Sequence, residues 1–454
     1  MAAPIRKVER ELDIKLKSEQ VEILQSLVEK RDCMAVLPTG FGKSLPFQLL
    51  PLVQKEMGRT GMVLVCCPLV SLMRDQVDRT NTIKGLTAAY KDLIGQTPDL
   101  DKEILDGKID VVYGSPESLL GEWREQLQHL DVSAIVIDEF HLISTWGDDD
   151  AQNGKKAFRR WFGELGELRS LFPSAPLLAL SATCTQKIQR RVIKALALNH
   201  HTYVYKSPDK RNIKYSVKKV PGDIDMAWTW LVDGLMELGA LFPKTLIYCK
   251  SISDVAKIYD YINDEVSKEF ESFIGMFHSE TESSIKERIL LSIRDEQSLL
   301  RIIISTNAMG MGVDFKGLSN IVLYGPPCSM LDLVQEIGRA GRGGEKSIAV
   351  LMYNSHHLQQ CDSDVKRLYK ENTCRRILMM EPFLRENDLD DLKSSTGDCT
   401  CCDICQESCS CGSCALLPFE KLCVGNTDSG HDTEDSDSTE DLSDFDFDDL
   451  NLIP

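Results

Sequence analysis

The stretch "LPTGFGKS", residues 37–44, overlaps an apolar run, "CMAVLP" (33–38), and opens onto residues with helical spacing. A glycine-flanked turn at such a junction lets backbone N–H groups close around phosphate oxygens, while a lysine reaches the terminal phosphates. In this reading Thr39, Gly40, Gly42 and Lys43 hold a nucleotide, and the Ser44 hydroxyl joins the shell of a Mg²⁺ ion. The bland alternative is a chance glycine-rich turn. Against it stands a second apolar run, "AIVIDEF" (134–140), which ends in two carboxylates. Carboxylates at the carboxyl end of a parallel strand sit where open α/β sheets bind ligands. Asp138 is placed there to hold Mg²⁺, and Glu139 to orient and deprotonate an attacking water.

Working outward, similar runs recur. The first half has "GMVLVCCP" (61–68), "IDVVYGSP" (109–116) and "APLLALSAT" (175–183); the second has "KTLIYCK" (244–250), "SFIGMFH" (272–278), "RIIISTN" (301–307), "NIVLYGP" (320–326) and "SIAVLMY" (347–353). Continuous apolar strands alternating with helices predict parallel sheets covered on both faces. The expected fold class is therefore α/β, with two tandem parallel-sheet domains. "YKSPDKRN" (205–212) breaks the pattern, which divides the chain into 1–206 and 207–355. A helical, cysteine-rich module (356–415) and a disordered acidic tail (416–454) follow. In the second domain "EIGRAGR" (336–342) offers Arg339 and Arg342, spaced to enter an interdomain cleft and neutralise charge on a transferring phosphoryl group.

Bulk properties exclude little. With 454 residues, 43% of them apolar, the chain can build two full cores. No apolar run is long enough to span a membrane, and the charged start "MAAPIRKVERELDIKL" is unlike a signal peptide, so an intracellular protein with no membrane partner is expected. The formal charge is −18, but eleven acidic residues lie between Asp428 and Asp449. A local basic groove still binds nucleic acid under such a sum. Seven of the sixteen cysteines fall between Cys399 and Cys414. In a reducing compartment that density indicates metal rather than disulfides. Cys399, Cys402 and Cys405 have C-x-x-C spacing twice over, which lets thiolates converge on one Zn²⁺. Cys401, Cys409, Cys411 and Cys414 remain: a second ion, alternative ligands and exposed thiols all fit them.

Taken in order, Gln20, "TGFGKS", "PLVSLMRDQV" (68–77), "YGSPESL" (113–119), "IDEFHLISTWG" (137–147), "FRRWFGELGELRSLFP" (158–173), "SAT" (181–183), "STNAMGMGVD" (305–314), "QEIGRAGR" (335–342) and "CTCCDIC" (399–405) resemble the RecQ family of superfamily-2 DNA helicases, from about residue 12 to 405. The resemblance implies two RecA-like domains, a 3′-to-5′ ATP-dependent helicase of DNA repair or recombination, a nuclear location, and single-stranded and forked DNA as partners. It implies that Gln20, with Lys17 in place of the family's arginine, reads adenine, and that Gly310, Asp314 and Gln335 complete the ATP site. It assigns DNA contact and coupling to Ser71, Arg74, Ser181, Thr183, Ser251 and Thr306, and makes Cys374 the fourth zinc ligand. Phe315 and Lys316 stand where the family favours Lys-Pro, and Gly343 where Asp is usual.

In the family an aromatic-rich loop after the acidic box senses single-stranded DNA. Here Trp146, Phe158 and Arg159 supply rings and a cation, but Asp148 replaces a histidine and "DDAQNGKKA" (149–157) is inserted. The functional reading is an altered sensor that stacks bases; the plain one is a pair of core anchors with a solvated loop between them. The short end after the cysteines leaves no room for a winged helix, so a core motor is expected, with a non-motor DNA-binding scaffold and an RNA helicase as competing readings. The tail, alternating Asp with Phe445, Phe447 and Leu450, suits a basic protein partner or mere solubilisation.

Overall fold

The computed structural model describes residues 2–91, 98–146, 159–295, 297–309, 317–412, 414 and 416–424. Seven parallel strands form the first sheet: β1 (Cys33–Val36), β2 (Met62–Cys66), β3 (Ala88–Lys91), β4 (Val111–Gly114), β5 (Val132–Ile137), β6 (Leu177–Ser181) and β7 (Thr202–Tyr205), in the order β3-β4-β2-β5-β6-β1-β7. The second sheet holds β8 (Ile213–Lys219), β9 (Thr245–Cys249), β10 (Ile274–Phe277), β11 (Ile302–Ser305), β12 (Asn320–Tyr324) and β13 (Ser347–Tyr353), in the order β10-β11-β9-β12-β13-β8, again all parallel. The two predicted α/β domains are present.

Each sheet is a layer between two apolar cores, as parallel strands require. Val63, Val65, Val136 and Leu180 face one side of the first sheet, and Leu64, Ile135, Ile137 and Ala179 the other. In the second sheet Leu246, Ile321 and Leu323 face one core, and Ile247, Val322 and Val350 the other. β1 lies beside β6, and β6 beside β5. Because the three strands are adjacent and parallel, the loops leaving them (the glycine loop, the acidic pair and "SAT") emerge side by side at one sheet edge.

The cysteine module shares the second domain's core. Leu368, Leu378, Met379 and Phe383 pack with Leu246, Ile321 and Leu323, and Tyr215 of β8 forms a bridge with Cys402. Arg376 is the pin. Its buried guanidinium donates to Asp209 Oδ1 at 2.5 Å, to the Lys210 carbonyl at 2.9 Å and to the Ile213 carbonyl at 2.5 Å, and it lies 4.7 Å from the Tyr215 ring. Arg376→Ala leaves Asp209 buried without its partner, so a loss of about 3–5 kcal/mol in unfolding free energy is expected from denaturant titration.

The boundary drawn at residue 416 needs correction. Residues Pro418–Val424 form a helix, and Phe419 sits edge-on to Trp230 and Phe242, with ring centroids 5.5 and 6.1 Å away. An apolar face on "LPFEKLC" outweighs its position beside the acidic stretch. The tail from residue 425 lies outside the described residues.

Candidate nucleotide and nucleic-acid site

The glycine loop takes its shape from two left-handed residues, Gly40 at φ +80° and Gly42 at φ +87°, a conformation in which a Cβ clashes with the backbone. Lys43 then projects to Glu139, its Nζ 3.2 Å from Oε1. Glu139 itself is left-handed, at φ +51°, a strained state for a residue with a Cβ. Its N–H donates to Asp138 Oδ1 at 3.0 Å, which fixes the turn out of β5. Both carboxyl groups are thus held over the phosphate loop.

Thr39, Gly40, Gly42, Lys43, Ser44, Asp138 and Glu139 line a cleft of about 300 Å³, closed from the second domain by Gln335, Arg339 and Arg342. Two contacts fix that closure. Thr39 Oγ1 donates to the Gly338 carbonyl at 2.6 Å, and a side chain at Gly338 would meet that same hydroxyl at 2.9 Å. The Arg342 stem runs beside Gly40.

Burial, and then the neighbouring Glu139 carboxylate, push the Asp138 carboxyl up to about 6 against the pull of Lys43. An anion destabilised in this way is one that a divalent cation relieves, so the donor set of Asp138 and the Ser44 hydroxyl suits Mg²⁺. Burial also works against the Glu139 anion, but Lys43, His141 and Arg339 outweigh it and hold its pKa below the ordinary value.

Gln20 Nε2 donates to the Phe41 and Gly42 carbonyls at 3.3 and 2.9 Å, and its Oε1 accepts from the Lys17 N–H at 2.9 Å. Lys17 Nζ lies 4.1 Å from the Phe41 ring centroid and bonds its carbonyl. This pair therefore braces the phosphate loop from behind.

A relay spans the domains. His141 Nδ1 lies 2.9 Å from Ser181 Oγ, which donates to the Thr183 carbonyl, while Gln335 Nε2 reaches His141 Nε2 and Thr183 Oγ1, both at 3.2 Å. Sequence reading missed His141, although it is the last letter of "DEFH". It also missed Gln76, which donates to Ser44 Oγ at 3.0 Å and accepts from Gln48 at 3.1 Å, so the Ser44 hydroxyl is oriented by a half-buried amide network.

Ser71 and Arg74 are exposed on the helix Val70–Asn81, Arg74 donating to Tyr90 Oη at 3.1 Å. Ser251 caps the helix Ile252–Glu265, accepting from the Asp254 N–H at 3.0 Å, and Thr306 is buried at the end of β11. Trp146 stands edge-on to Phe162 at 5.4 Å, and Arg159 lies near both rings. The Arg159 guanidinium also grips both oxygens of Glu117 and donates to the Pro68 carbonyl at 2.6 Å. Phe158, Gly310 and Asp314 lie outside the described residues.

The zinc ligand set needs a correction. Cys374, Cys401, Cys402 and Cys405 converge, with Sγ atoms of Cys374 and Cys401 3.5 Å apart and those of Cys374 and Cys402 3.9 Å apart; Cys399 lies in a separate group. Cys401 displaces it because the Tyr215 N–H binds the Cys401 carbonyl at 3.2 Å and Arg376 Nε donates to its sulfur at 3.4 Å. Four converging thiols with a cationic donor beside them fit Zn²⁺.

A DEAD/DEAH box helicase domain matches residues 17–191 and a helicase conserved C-terminal domain matches residues 231–344. The chain is 27% identical to the ATP-dependent DNA helicase RecQ of Haemophilus influenzae, over 85% of its own length and 60% of the relative's. It is 32% identical to the probable ATP-dependent DNA helicase RecS of Bacillus subtilis, over 74% of its own length and 64% of the relative's. The chain thus spans about three-fifths of the length of these curated relatives. Among solved structures, the DUF1998 helicase MrfA bound to DNA aligns with a TM-score of 0.63 at 19% identity, covering 78% of this chain and 51% of that one. The Mycobacterium smegmatis helicase Lhr bound to single-stranded DNA and AMP-PNP aligns at 0.60 and 19%, covering 80% and 49%. These two likenesses concern the fold alone.

Proposed function

The chain belongs to the RecQ-type superfamily-2 helicases, and from that membership we propose that it hydrolyses ATP to move 3′-to-5′ along single-stranded DNA and to open forked duplexes. We place that activity in nuclear DNA repair or recombination. One observation carries the reading: the phosphate loop, the acidic pair and two arginines of the other domain line a single cleft.

In this mechanism the N–H groups of the glycine loop and Lys43 grip the phosphates, while Gln20 and Lys17, which brace the loop, are assigned to adenine by resemblance. Ser44 and Asp138 hold Mg²⁺, which when bound draws charge from the phosphate oxygens. Glu139 takes the proton of the attacking water. Arg339 and Arg342 compensate charge building on the γ-phosphoryl group, with Gly310 and Asp314 assigned to the same site by resemblance. Gln335 senses the result through His141 and Thr183, so closure of the domains and grip on DNA change together. Ser71, Arg74, Ser251 and Thr306 serve the DNA backbone, and Trp146 with Phe158 the bases. Cys374, Cys401, Cys402 and Cys405 hold a structural Zn²⁺, and the acidic tail docks on a basic protein groove.

A second reading, a DNA-binding scaffold without coupling, is favoured by the engagement of Arg159 with Glu117, which neutralises the sensor's cation with a carboxylate of its own chain. The deciding experiment is steady-state ATP hydrolysis with and without single-stranded DNA, with Lys43→Ala as the blank. Stimulation by DNA that the variant lacks supports the motor. Hydrolysis indifferent to DNA, or none above the blank, leaves the scaffold. Gln335→Ala separates the steps further: DNA stimulation is expected to fall about tenfold, with basal hydrolysis changed less, because loss of 1–1.5 kcal/mol of hydrogen bonding between domains weakens only the coupled state.

Cys402→Ser tests the metal assignment. Its sulfur is fully buried, so the variant is expected to lose zinc and to melt several degrees lower, as scanning calorimetry with zinc analysis will record.

A further inference from the structure

The cysteines outside the group around Cys402, among them Cys399, are not scattered. Cys399, Cys409, Cys411 and Cys414 bring their four sulfurs within 4.8 Å of one another, and the set around Cys402 also falls within that distance. We propose that these four thiols form a second, independent zinc site, a conclusion that does not depend on the motor reading.

Spacing and backbone both converge there. Zn–S bonds of about 2.3 Å put the sulfurs of a tetrahedron about 3.8 Å apart. The observed Cys399–Cys411 and Cys411–Cys414 separations are 3.9 and 3.3 Å. Separations of this size suit one ion. An iron–sulfur cluster spreads its thiolates over several metal atoms and holds them further apart. Gly412, at φ +68°, follows Cys411 in the left-handed region, a conformation that glycine adopts without strain. The Cys411 N–H also points at the Cys409 sulfur from 3.5 Å, an orientation that favours a thiolate. On binding, the thiols release their protons and form four Zn–S bonds, with no redox step and no open coordination position.

The two sites interleave. Cys399 belongs to the second and Cys401 to the first, so a second ion closes the loop from Cys399 to Cys414 around three of the first ion's four ligands. It thereby fixes where the chain re-enters the second domain. Beyond the loop, Glu420 is paired with the buried Lys214 at 2.8 Å, and Phe419 inserts against Trp230. A clip at Cys414 shortens the free chain leading to that anchor, and so reduces the entropy lost on docking it. The sites also differ in access. Cys401, Cys402 and Cys405 are buried, whereas Cys411 is exposed and Cys399, Cys409 and Cys414 are partly so. The second ion is therefore the one that leaves first.

Native mass spectrometry of the full chain, purified with Zn²⁺ and under reducing conditions, is the test. Two zinc ions per chain are expected. The double variant Cys411→Ser/Cys414→Ser should retain one, while Cys328→Ser, at an exposed cysteine outside both groups, should retain two. A chelating dye should draw one ion quickly and the other slowly from the unaltered chain. A single zinc in the unaltered chain, a count unchanged in the double variant, or a mass lowered by disulfide formation in this group would each overturn the proposal. Should the double variant fail to fold, Co²⁺ titration of the metal-free unaltered chain decides instead. Thiolate-to-cobalt absorption rising to two equivalents supports the site, and saturation at one overturns it.

Discussion

Arg342→Ala is expected to lower the maximal rate of ATP hydrolysis by about 10³-fold or more, while the affinity for nucleotide changes only a few fold. The reason is positional. Arg342 follows the helix Met330–Ile337 of the second domain, yet its stem lies beside Gly40 of the first. The bond from Thr39 Oγ1 to the Gly338 carbonyl, at 2.6 Å, sets that distance, and Arg339 is buried alongside. A cation brought to the cleft by another domain acts on charge that develops as the γ-phosphoryl group departs, which is why the effect appears in kcat rather than in binding. Arg342→Lys retains the charge but not the planar fork, so partial recovery is expected. Steady-state hydrolysis with saturating single-stranded DNA, set beside binding of a fluorescent nucleotide analogue, separates the two quantities. A kcat within tenfold of the unaltered chain would mean that Arg342 lies off the reaction path.

How much of this could be read without coordinates follows from where each residue lies. The strands inside the sheets are covered on both faces, and their unbroken apolar runs announce them. β3, β7 and β8 escaped: β3 and β7 are the edges of the first sheet, and β8 is an edge of the second. β7 and β8 are partly solvated, so "TYVY" and "IKYSVKK" mix polar and apolar residues and lose the signature, whereas β10, also an edge, stays mostly buried and keeps its apolar run. The phosphate loop and acidic pair were legible because phosphate and Mg²⁺ dictate residue type. The relay from Gln335 to His141 and Thr183 was not, since its partners lie more than 150 residues apart and their meeting depends on how two domains close. Zinc shows the limit most sharply. Spacing favours Cys399 over Cys401, and only the pairing of β8 with the module, through Tyr215 and Arg376, turns Cys401 inward.

Glu139→Gln is expected to reduce kcat for ATP hydrolysis by about 10²–10⁴-fold, the range contributed by a positioned general base, with ATP and DNA binding preserved. The substitution is nearly isosteric. Gln accepts from Lys43 as the carboxylate does at 3.2 Å and carries the same backbone, including the left-handed turn that aims the side chain over the loop. What it removes is the capacity to take a proton. Lys43, His141 and Arg339 hold the carboxylate ionised against its burial, so in the unaltered chain, with Mg²⁺ saturating so that Asp138 stays ionised, kcat should stay level through mildly acidic pH and fall as Glu139 takes up its proton below the ordinary carboxylate range. The variant should lack that limb of the profile altogether. A gentler mutant, with hydrolysis within tenfold of the original and the same pH profile, would place the base elsewhere in the cleft. An ATP-loaded chain that grips single-stranded DNA but turns over slowly is the informative outcome. It shows that closing the domains on nucleotide and cleaving it are separate steps, which a motor requires if it is to take one stride for each ATP.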